Sequence, residues 1–275
     1  MSNPHYPTLF SPIDLGGYTL RNRIIHASIV TKYIANNAPT EKLINYYRSR
    51  AAGGAAAIVT EPIAMTAYNR IPTRLRAWDD VGMGNLSQVA DLVNTEGSLL
   101  LGQVQDSGRG RHGVGRNDGA VGASALPDDL SWTVPTALSI GEIEAMIEAW
   151  ARGCRRLKNA GFAGVEISAG HGHLFHQFLS PWSNRRDDDY GGDLEGRTHF
   201  LRSLISAIRN ECGYPFIIGL KLPADDGVVG GIDMNEASAI AARLAEQRSE
   251  FDSWTWAWGS HARSLYKHLP DAHGE

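Results

Sequence analysis

Six short, nearly continuous apolar runs, separated by segments of helical periodicity, constrain the fold of this chain more than any other feature. The runs are residues 23–27, 56–60, 99–104, 164–167, 216–222 and, more aromatic than the rest, 253–258. A strand with one face in water alternates apolar and polar residues. Most of these runs do not, so they read as strands covered on both faces, as in a parallel sheet. Between them lie the helices that parallel crossovers need. Ser139 and Glu142 make a capping-box pattern, after which Ile143, Met146, Ile147, Trp150, Cys154 and Leu157 recur at helical spacing until Gly161. Asp233 with Glu236 opens a similar helix carrying Ile240 and Leu244. Phe200, Leu201, Leu204, Ile205 and Ile208 form another stripe, and earlier helices cover residues 43–51 and 86–93. The rhythm is a βα series, an α/β fold and neither a bundle nor a sandwich.

A chain of 275 residues suffices for one large domain, and 43% hydrophobic with 20% charged residues is not the make-up of a disordered one. The net charge of -4 leaves no basic footprint for nucleic acid. The first residues, MSNPHYPTLF, lack both regions of a signal peptide, and no stretch approaches the ~18 apolar residues of a membrane span. Cys154 and Cys212 fall inside helical stripes and read as buried free thiols, which fits a reducing cytoplasm.

Two connections, 106–138 and 168–195, are far longer than the usual length of about two to six residues, and each follows the C-terminal end of a strand. That is the end at which a (β/α) barrel carries its chemistry. Residues 9–20, before the first run, read as a small hairpin placed to close the barrel bottom. In the first long connection Gly108-Arg109-Gly110-Arg111-His112-Gly113 matches G-x-G-x-x-G, with Asp128 about 20 residues beyond its start. Residues 114–119, directly after this match, are glycine-rich and polar with no helix to receive a pyrophosphate, so a basic loop over a pocket is preferred to a dinucleotide site. The second connection holds His171, His173 and His176, with Asp187, Asp188 and Asp189 nearby. A metal site, packed histidines, and catalysis or ligand binding are all open readings. No ligand pattern such as HExxH is present.

Gln103 and Lys221 interrupt apolar strands near their C-terminal ends. Buried polar groups need partners, either within the barrel or on a planar polar ligand at its mouth. Trp132, Trp182, Trp254, Trp256 and Trp258 would line such a pocket or pack in the core.

Several segments in order carry a resemblance: Leu9-Phe10-Ser11-Pro12, Leu20-Arg21-Asn22-Arg23-Ile24, Gly164-Val165-Glu166-Ile167, His176-Gln177-Phe178-Leu179-Ser180-Pro181, Ser183-Asn184-Arg185-Arg186 and Asp189-Tyr190-Gly191-Gly192-Asp193-Leu194-Glu195. Together they resemble the old yellow enzyme family of FMN-dependent NADH:flavin oxidoreductases, from residue 9 to about residue 271. The resemblance implies a (β/α)8 TIM barrel with FMN at its mouth. NAD(P)H acts as reductant there, and an electron-poor alkene or related small molecule accepts hydride.

Carried over by position, Ala27, Ser28, Ile29 and Val30 would lie along the flavin, Pro62 at the ring edge, and Gln103 on the pyrimidine. Lys221 stands where the family usually has arginine beside flavin N1 and O2; an ammonium keeps the charge without the guanidinium fork. The substrate pair, commonly His with His or Asn, maps onto Ser168 and His171, and the proton-donating tyrosine onto His173, which as an imidazolium would titrate near neutrality. Ser168 and His173 keep open an amine-oxidising branch of the family, the trimethylamine dehydrogenase type, as well as a non-catalytic remnant. Only about six βα units are expected within 1–275, read as one incomplete barrel domain. Its open edges would call for a second copy or a complementing segment.

Overall fold

The computed structural model describes residues 5–67, 73–110, 119–127 and 134–247, with the backbone of 253–257. Six parallel strands stand side by side in chain order: β1 (Ile25–His26), β2 (Ala57–Ala64), β3 (Leu99–Val104), β4 (Gly164–Ser168), β5 (Ile217–Pro223) and β6 (Ser253–Ala257). They curl into part of a (β/α)8 barrel. A short strand, Leu75–Arg76, extends the sheet beside the end of β2. Among the described residues β1 pairs only with β2 and β6 only with β5, so the curled sheet has two edges.

The strands match the apolar runs with two instructive differences. The first is only two residues long, because Asn22 turns its side chain onto the chain itself, accepting from the Ile24 N–H at 2.9 Å and donating to Gly54 O at 2.8 Å. The second runs past its expected end at Thr60, through Glu61 and Pro62 to Ala64. Proline cannot donate to a ladder, and the register shifts between Val59 and Pro62, so an irregularity absorbs it.

The crossovers carry α1 (Glu41–Ala52), α2 (Met83–Thr95), α3 (Ile140–Asn159), α5 (Leu194–Cys212) and α6 (Met234–Ala245), while α4 (Leu174–Leu179) is a short helix inside the second long connection. The α3 capping box is complete: Ser139 Oγ accepts from the Glu142 N–H at 3.3 Å, and Glu142 Oε2 accepts from the Ser139 N–H at 2.8 Å. At α6 the box is only half made. Asp233 Oδ1 accepts from the N–H groups of Asn235 and Glu236, but the Glu236 carboxylate pairs with Arg197 of α5. A tertiary ion pair has outcompeted the local cap.

Residues on opposite sides of the strands divide between two cores. Val165, Ile167, Ile218, Leu220 and Leu222 join the helices in the larger one, where Trp150 meets Phe175 edge-on at 4.9 Å and Phe200 contacts both Phe175 and Phe178. Ala57, Val59, Leu101, Ala163 and Ile217 form the smaller one with Leu20, and Ile13, Leu15 and Tyr18 pack onto it. Those last four residues belong to the hairpin of Ile13–Leu15 and Tyr18–Leu20, which therefore covers the sheet where its strands begin. Gly164 starts β4 without a side chain because a Cβ there would lie 2.2 Å from Ile217 O on the next strand.

Cys154 and Cys212 are buried free thiols, and burial raises both, Cys212 to about 11. Trp150 is 1% exposed at the junction of α3 with α4, whereas Val229 is fully exposed on the loop after β5. Chemical denaturation should show Trp150→Ala losing about 3–5 kcal/mol of stability and Val229→Ala changing it by less than about 0.5 kcal/mol.

Candidate active site

One carboxylate organises the floor of the barrel mouth. Glu166 of β4 lies in register with Gln103 of β3, and its Oε1 accepts from Gln103 Nε2 at 2.8 Å and pairs with Lys221 Nζ of β5 at 3.1 Å. The side chains of Glu166 and Lys221 are only 8% and 12% exposed. An ion pair this sheltered is screened little by solvent, and it matches a charge that would otherwise be costly to bury. The two polar interruptions, Gln103 and Lys221, are thus joined through a third residue. The interior hydrogen bond accounts for one face of each group only. Gln103 Oε1 makes no bond to another described residue, and the ammonium has donors beyond the one aimed at Glu166.

A second buried carboxylate sets the loop after β1. Glu61, 1% exposed in β2, receives Thr31 Oγ1 at 2.7 Å and the Thr31 N–H at 3.2 Å, while its own N–H donates to Tyr47 Oη at 2.8 Å. Burial raises the Glu61 pKa, opposed by the Thr31 hydrogen bonds. Ahead of this anchor Ala27, Ile29 and Val30 are exposed and Ser28 half-buried; Pro62 is half-buried beside Glu61. Ser28, Ile29 and Val30 make no hydrogen bond to another described residue, which leaves their backbone groups to solvent or a ligand.

Ser168, His171 and His173 lie on or just beyond the end of β4. Ser168 is buried opposite Lys221. His171 is exposed in a turn where His171 and Gly172 both have positive φ, 62° and 73°, and its ring centre is 6.1 Å from that of His173. His173 precedes α4 and is partly open to solvent, yet it sits among cations. Burial first, then electrostatic repulsion from neighbours that include the Arg74 guanidinium and the Lys221 ammonium, lower its pKa to about 3. The expected group titrating near neutrality is therefore a neutral ring, because the imidazolium form would be poorly solvated next to like charge.

The structure also brings in residues beyond the expected flavin and substrate groups. Gln177 Nε2 donates to Gly172 O at 2.7 Å and its Oε1 accepts from the Arg109 N–H at 3.4 Å; the Leu174 N–H donates to Asp106 O at 3.0 Å. These bonds tie together the two long connections. Gly108, φ 58°, follows from the same contact, since a Cβ there would meet the Gln177 amide at 2.5 Å. The Arg109 guanidinium lies over Trp182 at 4.9 Å. Asn184 Nδ2 donates to Phe178 O and Tyr190 O, and Arg186 pairs with Asp188 while donating to Ala123 O and Leu138 O.

The signal for most of these residues was present: each is a polar group inside an otherwise apolar run or a buried motif. Among the described residues no group of three or more His, Cys, Asp and Glu is arranged to hold a metal. Gly108–Gly110 form a short 3-10 turn, while residues 111–118 of the glycine-rich segment, Asp128, Trp132 and the side chains of Trp254, Trp256 and Trp258 lie outside the described residues.

The chain is 34% identical over 247 residues to an NADH oxidase of Thermoanaerobacter brockii, covering 88% of this chain and 38% of that protein. It is 33% identical over 242 residues to an NADPH dehydrogenase of Geobacillus thermodenitrificans, covering 87% and 70%. The chain thus spans well under half the length of the first of these relatives. Among solved structures, morphinone reductase in complex with tetrahydroNAD superposes with a TM-score of 0.82 at 28% identity, covering 91% of this chain and 73% of the other. The model of the NADH:flavin oxidoreductase / NADH oxidase family matches residues 8–263, and with these relatives beside it the chain belongs to this FMN-dependent family, the old yellow enzymes.

Proposed function

We propose that this chain supplies the FMN-binding mouth of an NAD(P)H-dependent oxidoreductase that reduces an electron-poor alkene or a related small acceptor. The observation that carries the reading is the Gln103–Glu166–Lys221 floor. The residues present fit the cofactor. Gln103 keeps a carbonyl oxygen for an imide N–H, Lys221 offers an ammonium to an electron-rich ring edge, and the Ala27–Val30 backbone with Pro62 flanks the mouth from the β1 and β2 side. When bound, FMN supplies hydride chemistry between nicotinamide and acceptor.

The remaining work falls to the chain's own side chains. Glu166 fixes the Lys221 ammonium beneath the mouth, a preorganised charge that needs no rearrangement when negative charge develops nearby. His171 stands exposed with ring nitrogens able to donate to an acceptor oxygen, and Ser168 offers a shorter hydroxyl. His173, neutral, offers one ring N–H as a hydrogen-bond donor and one ring nitrogen as an acceptor at the same rim.

One observation favours a refinement. β1 and β6 are open edges among the described residues, and Ile25 on β1, with Ile29 and Val30 just beyond it, is exposed. We read residues 1–275 as a single barrel domain whose edges are covered by a further segment or a second copy in the working protein. The two buried free thiols fit a reducing compartment, the cytoplasm.

Titrating FMN into the purified chain and following its visible spectrum tests the central reading. Bound yellow flavin is expected, and Lys221→Met should weaken it about tenfold or more. A chain that stays colourless alone and in the presence of any covering segment contradicts it.

Stopped-flow reoxidation of the reduced, flavin-loaded protein by 2-cyclohexenone should slow about 10²-fold in His171→Ala, while an unchanged rate removes His171 from the site.

The His173 ring makes a separate pH signature. Its folded pKa near 3 lies below the ordinary 6.5, so the unfolded chain takes up the proton first, and the native state loses stability as pH falls from 6.5 toward 3. Denaturation across that range should show a shallower pH dependence in His173→Phe than in the wild type; identical slopes contradict the neutral-ring assignment.

A further inference from the structure

One fully buried histidine, His176, reaches the middle of the turn 171–173. His176 Nδ1 accepts from the Gly172 N–H at 2.9 Å, so that nitrogen carries a lone pair. Nε2 then bears the proton and donates to Asp226 Oδ1 at 2.6 Å. Asp226, itself fully buried on the loop after β5, has its other oxygen occupied by Ser180 Oγ at 2.6 Å and the Ile232 N–H at 2.9 Å. The Gly172 carbonyl is held in turn by Gln177 Nε2 at 2.7 Å. Both backbone groups of Gly172 are therefore gripped by adjacent side chains of α4, at a point where two successive residues have positive φ. His171 pays a conformational penalty in that region, and a turn of this kind persists only where its surroundings hold it.

We propose that His176 is a positioning residue: with its tautomer fixed by Asp226, it clamps the left-handed turn that presents His171 and His173 to the acceptor. The proposal rests on the reading of His171 and His173 as acceptor-binding groups. It assigns His176 no contact with substrate. Its reach comes from rigidity, since misplacing an orienting group by about 1 Å can cost about 10²-fold in rate. The loops after β4 and β5 are thereby coupled, Asp226 on one fixing the backbone of the other.

Hydrogen exchange in the full chain, read by mass spectrometry on the segment 169–174, separates this role from general support of the fold. His176→Phe removes both bonds and should speed exchange of that segment about tenfold or more with α3 and α5 unchanged. His176→Asn, which places an acceptor near the Nδ1 position, should restore most of the protection. In flavin-loaded protein the Kd of 4-hydroxybenzaldehyde should rise in the same order, Asn variant before Phe variant. Unchanged exchange at 169–174, or equal acceleration of every segment, overturns the proposal. Should the Phe variant not fold, nitrogen-15 NMR of the wild-type histidines decides: a bare Nδ1 on His176 supports the clamp, and an Nδ1–H or doubly protonated ring overturns it. His171→Ala and His173→Ala with unaltered aldehyde affinity would sink the reading of the acceptor site instead, and the exchange result would still judge the clamp.

Discussion

The Glu166 carboxylate is the constraint on which the rest of the mouth depends. It is the one charge on β4, it is almost wholly withdrawn from water, and it bonds to the strand on either side. A carboxylate in that setting must be matched, and Lys221 matches it. Once it is matched, the ammonium cannot fold away and Gln103 cannot rotate its amide, so the polar floor is fixed by the same register that pairs β3, β4 and β5. The positive charge at the mouth is thus a requirement of the sheet itself.

Around that floor the same device recurs at the loops. Glu61 holds Thr31 behind the exposed residues 27–30, Gln177 holds Gly172 and Arg109, and Asp226 holds His176 and Ser180. Each is a buried side chain satisfying backbone or hydroxyl groups of a connection that has no ladder of its own. Long loops usually gain mobility with length; here buried polar residues at their bases offset it. The residues left facing outward include Ile29, Val30 and His171.

The architecture was legible because its signals are local. Apolar runs named the strands, and the Ser139–Glu142 box together with Gly161 marked both ends of α3. Where tertiary contacts compete with local pattern, legibility fell: Glu236 left its cap for Arg197, and β2 ran through Pro62 across an irregularity that no local rule announces. The site was half legible. Gln103 and Lys221 stood out as polar residues in apolar strands, but the link between them did not, since it depends on register. The motif from His176 to Glu195 pointed to the family, yet its side chains act mainly as supports: Gln177, Asn184 and Arg186 bond backbone groups, and Tyr190 stacks on His199. His173 could be placed by position but not its ionisation, which depends on burial and on neighbours from two other parts of the chain, Arg74 and Lys221.

A double-mutant cycle across Glu166 and Lys221, read by chemical denaturation, tests the central claim most directly. Glu166→Gln alone strands a sheltered ammonium and should cost about 3 kcal/mol; with Lys221→Met added, the pair should lose less than the sum of the single losses, by a coupling of about 2 kcal/mol. Losses that add to within about 0.5 kcal/mol would show that the two groups do not depend on each other and would contradict the account.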